Sequence, residues 1–221
     1  MSPACSHVIF DLDGTLLDSE ALYSRAAETV CARYGAQFTL EIKRGIMGGD
    51  TLHGAQVVVK TLQLPITAEA YMAEREAELL RLLPTVRAMP GAEPLVQTLR
   101  EHDIPLIIAT SGHRHITERK LAGHPFLLGI AQRVCGDDPR LQNGKPAPDI
   151  FLLAASELGA EPRRCVVLED TVNGVRAGVA AGMRTIAVID PRFGFAPADF
   201  PGAALSVGSL AELSIEALGL R

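Results

Sequence analysis

Five short stretches of the chain are apolar without alternation: His7 to Phe10, Pro105 to Ala109, Arg133 to Cys135, Cys165 to Leu168 and Thr185 to Ile189. A strand with one wet face alternates, whereas a continuous aliphatic run fits a strand buried on both faces of a parallel sheet. Helical patterns lie between these runs. Pro90 to Glu93 opens a segment with Leu95, Val96 and Leu99 on one face. Pro148-Asp149 opens another, with Ile150, Leu153, Ala154 and Leu158 inward and Gly159 as the stop, and Asn173 to Ala181 forms a third, ended by Gly182. Such alternation of strand and helix predicts a doubly wound α/β domain with a parallel sheet.

One region breaks the alternation. From Ser19 to Leu83 the chain shows helical periodicity and no strand pattern: Leu22, Ala26 and Val30 recur at helical spacing, as do Leu52, Gln56 and Val59. Thr67 is placed to cap a helix that runs to Leu83. Two readings are open. Residues 18–84 form a helical cap domain inserted into a core of residues 1–17 and 85–221, or the same helices simply cover one face of the sheet. The stretch from Lys43 to Asp50 contains Gly45, Gly48 and Gly49, which suit either a loop closing over a pocket or a plain linker between helices. Pro191 to Gly202, with three prolines and three phenylalanines, reads as loop.

Composition narrows the class. The chain has 221 residues, 48% of them hydrophobic and 21% charged, enough apolar material for a sizeable core and far from the make-up of a disordered chain. With no Trp and 3 Tyr, that core must be largely aliphatic. A net charge of −5 argues against a nucleic-acid-binding surface. No run approaches the ~18 apolar residues of a membrane span, and no secretory leader is expected ahead of the first strand. Cysteines 5, 31, 135 and 165 form no paired pattern and read as small core residues of a protein in the reducing cytoplasm. A monomer is the default expectation.

Ligands of doubly wound sheets bind beyond the carboxyl ends of the strands. Asp11 and Asp13 follow the first apolar run, Thr110 and Ser111 the second, and Glu169 and Asp170 the fourth, while Lys145 precedes a helix in Gly144-Lys145-Pro146-Ala147-Pro148-Asp149. Taken singly, each has a plain reading: a solvated turn, a helix cap or a surface charge. Taken together, four acids in one pocket require a cation, and a hard all-oxygen donor set matches Mg²⁺. A lysine and two hydroxyls beside that ion suit an anionic substrate group, phosphate being the simplest. Asp11 at the strand end is placed as a nucleophile. Asp13, two residues on, is placed to protonate a leaving oxygen and then to deprotonate water.

The segments Phe10 to Glu20, Ala109-Thr110-Ser111, Gly144 to Asp149 and Leu168-Glu169-Asp170 resemble, as a set and in order, the four motifs of the haloacid dehalogenase superfamily of phosphotransferases. The resemblance extends over residues 7 to 190 and implies a Rossmann-like core with a helical cap inserted after the first motif. It implies that Asp11 forms an aspartyl-phosphate, that Asp13 is the general acid and base, and that Thr110 and the Ser111 N–H bind the phosphoryl group. Lys145 would neutralise that group and orient Asp11. Mg²⁺ would be held by Asp11, the Asp13 carbonyl and Asp170, with Glu169 ligating directly or through water.

Leu17 to Tyr23, Gln63-Leu64-Pro65, Met89 to Glu93, Gly136 to Pro139 and Gly144 to Phe151 also resemble the family's sugar-phosphate phosphatases, those for pseudouridine 5′-phosphate included. The expected substrate is therefore a small phosphorylated metabolite. A phosphosugar mutase of the β-phosphoglucomutase type shares all four motifs. The histidine which that activity uses after the first motif is absent from Glu20-Ala21-Leu22-Tyr23. A dehalogenase would need neither Asp13 nor the metal, and a non-catalytic phosphate-binding module would not need an acid/base. His113 and His115 are expected at the surface.

Overall fold

The structure, a computed structural model, describes residues 4–47 and 51–220. Its centre is a six-stranded, all-parallel sheet in the order β3-β2-β1-β4-β5-β6. The strands are β1 (His7–Phe10), β2 (Leu106–Thr110), β3 (Arg133–Cys135), β4 (Cys165–Glu169), β5 (Arg184–Val188) and β6 (Leu205–Val207). The five apolar runs became β1 to β5, with end shifts of one residue. Three-residue β6, which pairs with β5 at the sheet edge, had no counterpart in the sequence reading. Leu205-Ser206-Val207 is too short to present either a run or a period.

Among the described residues ten α-helices surround the strands: α1 (Ser19–Arg33), α2 (Leu40–Ile46), α3 (Thr51–Leu62), α4 (Ala68–Leu82), α5 (Ala92–Glu101), α6 (Arg114–Ala122), α7 (Pro125–Leu128), α8 (Asp149–Glu157), α9 (Val172–Ala180) and α10 (Ile215–Leu218). Successive residues of β1 serve opposite faces of the sheet, as the two-residue period requires. Val8 and Phe10 join the core under α5, with Leu95, Val96 and Leu99, whereas Ile9 joins the core under α8 and α9, with Ile150, Phe151, Ala154 and Ala177. In α8 the buried positions are Ile150, Phe151, Ala154 and Ala155; Leu153 and Leu158, expected inward, lie at the margin of that core. The four cysteines are free and buried.

Between β1 and α5 the chain forms α1 to α4. Thr67 caps α4, its side chain accepting from Ala70 N, a contact worth about 1 kcal/mol. These helices enclose a hydrophobic cluster of their own, including Val30, Phe38, Val58, Leu64 and Tyr71, while Leu22, Ala26 and Leu79 reach into the sheet core. Two expectations need correction. On α3, Leu52 and Gln56 are exposed, and the inward face is Gly54, Ala55 and Val58. The apolar spacing pointed to the wrong face because two of the three inward positions are Gly54 and Ala55, small residues that add little to an apolar period; a Cβ on Gly54 would meet the Ile46 side chain at an ordinary contact distance of 3.5 Å. Lys43 to Ile46 complete α2 rather than a loop; Gly48, Gly49 and Asp50 lie outside the described residues.

The segment carrying α1 to α4 departs and returns through paired backbone. Asp18 N donates to Arg87 O at 2.8 Å, and Met89 N donates to Leu16 O at 2.9 Å.

Candidate active site

The strand order reverses between β1 and β4, and the sheet register brings their ends together: Phe10 pairs with Leu168, and Asp11 N continues the ladder to Leu168 O at 3.0 Å. Asp11, Glu169 and Asp170 therefore emerge side by side at the topological switch point. Oxygens of these three buried carboxylates lie within 4.8 Å of one another. Lys145 enters from the loop before α8, its peptide bond to Pro146 being cis. Its Nζ donates to Asp11 Oδ1 at 2.6 Å, to Glu169 Oε1 at 2.8 Å and to Ala109 O at 3.3 Å. The other Glu169 oxygen accepts from Thr171 N at 2.6 Å and Thr171 Oγ1 at 2.9 Å, fixing that carboxylate at both ends.

The electrostatics show what this cluster lacks. Burial, opposed by Lys145 and reinforced by Glu169 and Asp13, pushes Asp11 up to about 7. Burial also drives Asp170 well above the usual carboxylate range, and Glu169 and Asp11 add to the shift. A neutral group, Thr15 Oγ1, donates to Asp170 Oδ1 at 3.3 Å. Three buried carboxylates share one ammonium, an imbalance that a divalent cation corrects, and hard oxygen donors in this number suit Mg²⁺. Gly14 makes the arrangement possible. Its φ is +86°, and a Cβ there would stand 2.1 Å from Asp170 Oδ2.

Asp13 points elsewhere. Its Oδ1 accepts from Lys120 Nζ and Ser19 Oγ, and its Oδ2 accepts from Thr110 Oγ1 at 3.3 Å. Burial pulls this carboxyl upward, but the Lys120 charge, with the bonds from Lys120, Ser19 and Thr110, outweighs it and holds the group below its ordinary value. The two aspartates of one D-x-D segment thus occupy different environments, one beside the other carboxylates and one paired with a cation of its own. Thr110, the last residue of β2, also accepts from Gly112 N at 3.0 Å. Ser111 is exposed at the cavity edge, and the end of β3 abuts its backbone so closely that a Cβ on Gly136 would lie 2.2 Å from Ser111 O.

Asp11, Asp13, Thr110, Ser111, Lys145 and Glu169, but not Asp170 or Lys120, line one cavity of about 220 Å³, whose opposite wall is helical. Glu20 and Ser24 of α1, Lys43 of α2 and Tyr71 and Arg75 of α4 supply its polar groups there. Lys43 Nζ, buried, donates to Ser24 Oγ at 2.5 Å and Glu20 O at 2.6 Å and pairs with Glu20 Oε2 at 3.0 Å. The Lys43–Met47 stretch faces the cavity through Lys43, Ile46 and Met47. His113 and His115 are exposed, His115 lying 3.1 Å from Glu76 Oε1.

Lys120 escaped the sequence reading, although a signal was present. It lies four residues after Ile116 and directly before Leu121, so it occupies the apolar face of its helix, an unusual place for a lysine. Ser19, the other donor to Asp13 Oδ1, stands inside the first motif as the first residue of α1.

A doubly wound parallel sheet bearing buried carboxylates and a bracing lysine at its switch point defines an α/β protein with a candidate cation site at the carboxyl ends of its strands. Residues 5–182 match the haloacid dehalogenase-like hydrolases, and the chain belongs to that family. Among curated proteins it is 41% identical over 191 residues to the probable pseudouridine-5′-phosphatase of Drosophila melanogaster, covering 85% of this chain and 83% of that one. It is 38% identical over 193 residues to (DL)-glycerol-3-phosphatase 2 of Arabidopsis thaliana, covering 85% and 80%. Among solved structures, CbbY from Rhodobacter sphaeroides in complex with phosphate superposes with a TM-score of 0.81 at 27% identity, covering 98% of this chain and 100% of that one.

Proposed function

We propose that the protein is a Mg²⁺-dependent phosphomonoesterase that hydrolyses a small sugar or polyol phosphate, pseudouridine 5′-phosphate among the candidates, through an aspartyl-phosphate on Asp11. The observation that carries this reading is the joining of Asp11, Glu169 and Asp170 around the Lys145 ammonium at the switch point, beneath a cavity of metabolite size. Phosphoryl transfer asks chiefly for positioning and charge stabilisation, and the site is built of little else.

Asp11 and Asp170, with Glu169 and the Asp13 carbonyl, would hold Mg²⁺, which when bound supplies positive charge to the phosphoryl oxygens and to the buried carboxylates. Lys145 holds Asp11 Oδ1 in place and neutralises the phosphoryl group from the other side. Thr110 and the Ser111 N–H donate to the phosphoryl oxygens. Asp11 attacks phosphorus as Asp13, having taken up the proton of the bound phosphate monoanion, passes it to the leaving oxygen. Asp13 then takes a proton from the water that frees Asp11.

Residues 18–84 act as a cap over this chemistry. The paired backbone at Leu16–Asp18 and Arg87–Met89 supports that reading, because an insert entering and leaving through adjacent strands can tilt as a unit. The polar groups Glu20, Lys43, Tyr71 and Arg75 on the cap wall suit the hydroxyls of a sugar or polyol leaving group. Among the described residues no helix is long and apolar enough to cross a membrane; the free, buried cysteines suit the reducing cytoplasm, the net charge of −5 suits an enzyme that binds no nucleic acid, and we take it to act as a monomer.

The test is a phosphate-release panel with added Mg²⁺ over pseudouridine 5′-phosphate, other nucleoside monophosphates, glycerol phosphates and hexose phosphates, with product analysis for isomerised sugar. Release of phosphate from one group of esters supports the reading; an isomerised sugar phosphate without net release would replace it with a mutase.

A further inference from the structure

Lys120 has no exposed surface, and a lysine withdrawn from water costs several kcal/mol unless it is paired. Its partners are specific. Nζ donates to Asp13 Oδ1 and to Tyr23 Oη, the latter at 3.0 Å, and stands 5.0 Å from the centre of the Tyr23 ring. Asp13 belongs to the turn after β1, Lys120 to α6 and Tyr23 to α1, so three separate elements meet at one ammonium.

The consequence for Asp13 is asymmetric. Among the described residues Oδ1 carries two donors, Lys120 and Ser19, whereas Oδ2 carries the long contact from Thr110 Oγ1, a hydroxyl that would turn to a bound phosphoryl group. We propose that Lys120 is a positioning residue for proton transfer: by locking Oδ1 it presents Oδ2 to the ester. Oδ2, ionised at rest beside Lys120, takes up the proton of the ester's phosphate monoanion on binding and passes it to the leaving oxygen as the phosphorus–oxygen bond breaks and the Asp11–phosphorus bond forms. In the second step Oδ2 takes a proton from water as the water oxygen bonds to phosphorus and Asp11 leaves. The inference rests on the reading of Asp13 as the acid and base.

The test compares Lys120→Met, Lys120→Arg, Asp13→Asn and the double variant Asp13→Asn/Lys120→Met on two Mg²⁺-supported reactions. One uses p-nitrophenyl phosphate, whose leaving group needs little protonation. The other uses glycerol 3-phosphate or whichever alkyl ester of the panel turns over fastest. Lys120→Met is expected to lower kcat on the alkyl ester about 100-fold, the low end for general acid–base catalysis. On the aryl ester the loss should stay below about tenfold, with KM little changed on both. Lys120→Arg should restore part of the loss, and in the Asp13→Asn background the lysine change should cost no more than about threefold. Should Lys120→Met fail to fold, Lys120→Gln, which keeps a donor for Oδ1, takes its place, and the double variant removes the unpaired charge altogether. Equal losses on the two esters, or a full loss added to Asp13→Asn, would reduce Lys120 to a structural role. An Asp13→Asn enzyme that keeps its alkyl-ester activity would instead remove Asp13 from the chemistry, and the Lys120 proposal with it.

Discussion

The Lys145 ammonium lies 2.6 Å from Asp11 Oδ1, although 134 residues separate them in the chain. With Glu169 at 2.8 Å on its other side, Lys145 is the positive end of a buried triad. Burial works against the lysine's charge, but Asp11 and Glu169 raise its pKa above the ordinary value, so it is protonated throughout the physiological range. Asp11→Asn should therefore abolish phosphate release, by about 10⁴-fold or more, while the melting temperature stays close to wild type because one of several crowded negative charges is gone. Lys145→Met should cost both properties: it strands two buried carboxylates, a loss on the order of 3–5 kcal/mol. Phosphate-release assays and thermal melts of both variants check the contrast; substantial turnover in Asp11→Asn would remove that residue as nucleophile.

Raised carboxylates make a statement about the metal. Asp11 and Asp170 have pKa values above normal without a cation, so at and below neutral pH protons compete with Mg²⁺ for their oxygens. EDTA should silence the enzyme and Mg²⁺ restore it. The rise in melting temperature produced by a fixed Mg²⁺ concentration should grow from pH 6 to pH 8, and binding at the lower pH should release protons, visible by calorimetry in buffers of different ionisation enthalpy. A stabilisation independent of pH would contradict the raised values.

Those carboxylates were legible in the sequence because each follows an apolar run, and in a parallel sheet the ends of runs are where ligands gather. Asp11, Asp13, Thr110, Glu169 and Asp170 meet in one neighbourhood for that reason, and Lys145 joins them from the loop before α8. Lys120 was not legible the same way, for it lies on no strand end and in no motif; only its place beside Leu121 on a buried helical face marked it. The inward face of α3 left little trace because two of its buried positions are Gly54 and Ala55, whose small side chains a hydrophobic period hardly registers. Strand β6 is held by its pairing with β5 and by Val207 in the core, a long-range cause with little local trace.

Gly14 offers a probe of the cluster that changes no charge. Alanine there must accept φ of +86° and place a methyl group 2.1 Å from Asp170 Oδ2, against a fully buried side chain that has little room to retreat. The backbone conformation alone costs about 1–2 kcal/mol, and displacement of the Asp170 carboxylate would spoil the metal site as well. Gly14→Ala should lower kcat by about 100-fold or more and weaken the Mg²⁺-induced rise in melting temperature. An alanine variant with normal Mg²⁺ response would mean that Asp170 can move without consequence for the ion.

Asp138 carries a pH dependence of opposite sign, away from the carboxylate cluster. Its carboxylate accepts from Arg140 Nε at 2.9 Å, Arg140 Nη2 at 2.8 Å and Arg140 N at 3.0 Å, and the guanidinium also reaches Glu157 on α8. The hydrogen bonds from Arg140, against a smaller opposing effect of burial, bring Asp138 down to about 2. A carboxylate depressed on folding binds fewer protons in the native state than in the unfolded one, so its contribution is complete above about pH 4 and disappears as pH falls towards 2. The guanidinium is half exposed, at 54% of its side chain, so solvent screens the pair and the effect is small. Asp138→Asn should lower the melting temperature by about 2 °C at neutral pH, and the gap to wild type should close between pH 4 and pH 2. Melting curves across that interval decide it: a gap of constant size down to pH 2 would mean that the Arg140 bonds persist on the protonated acid and that charge contributes nothing to them.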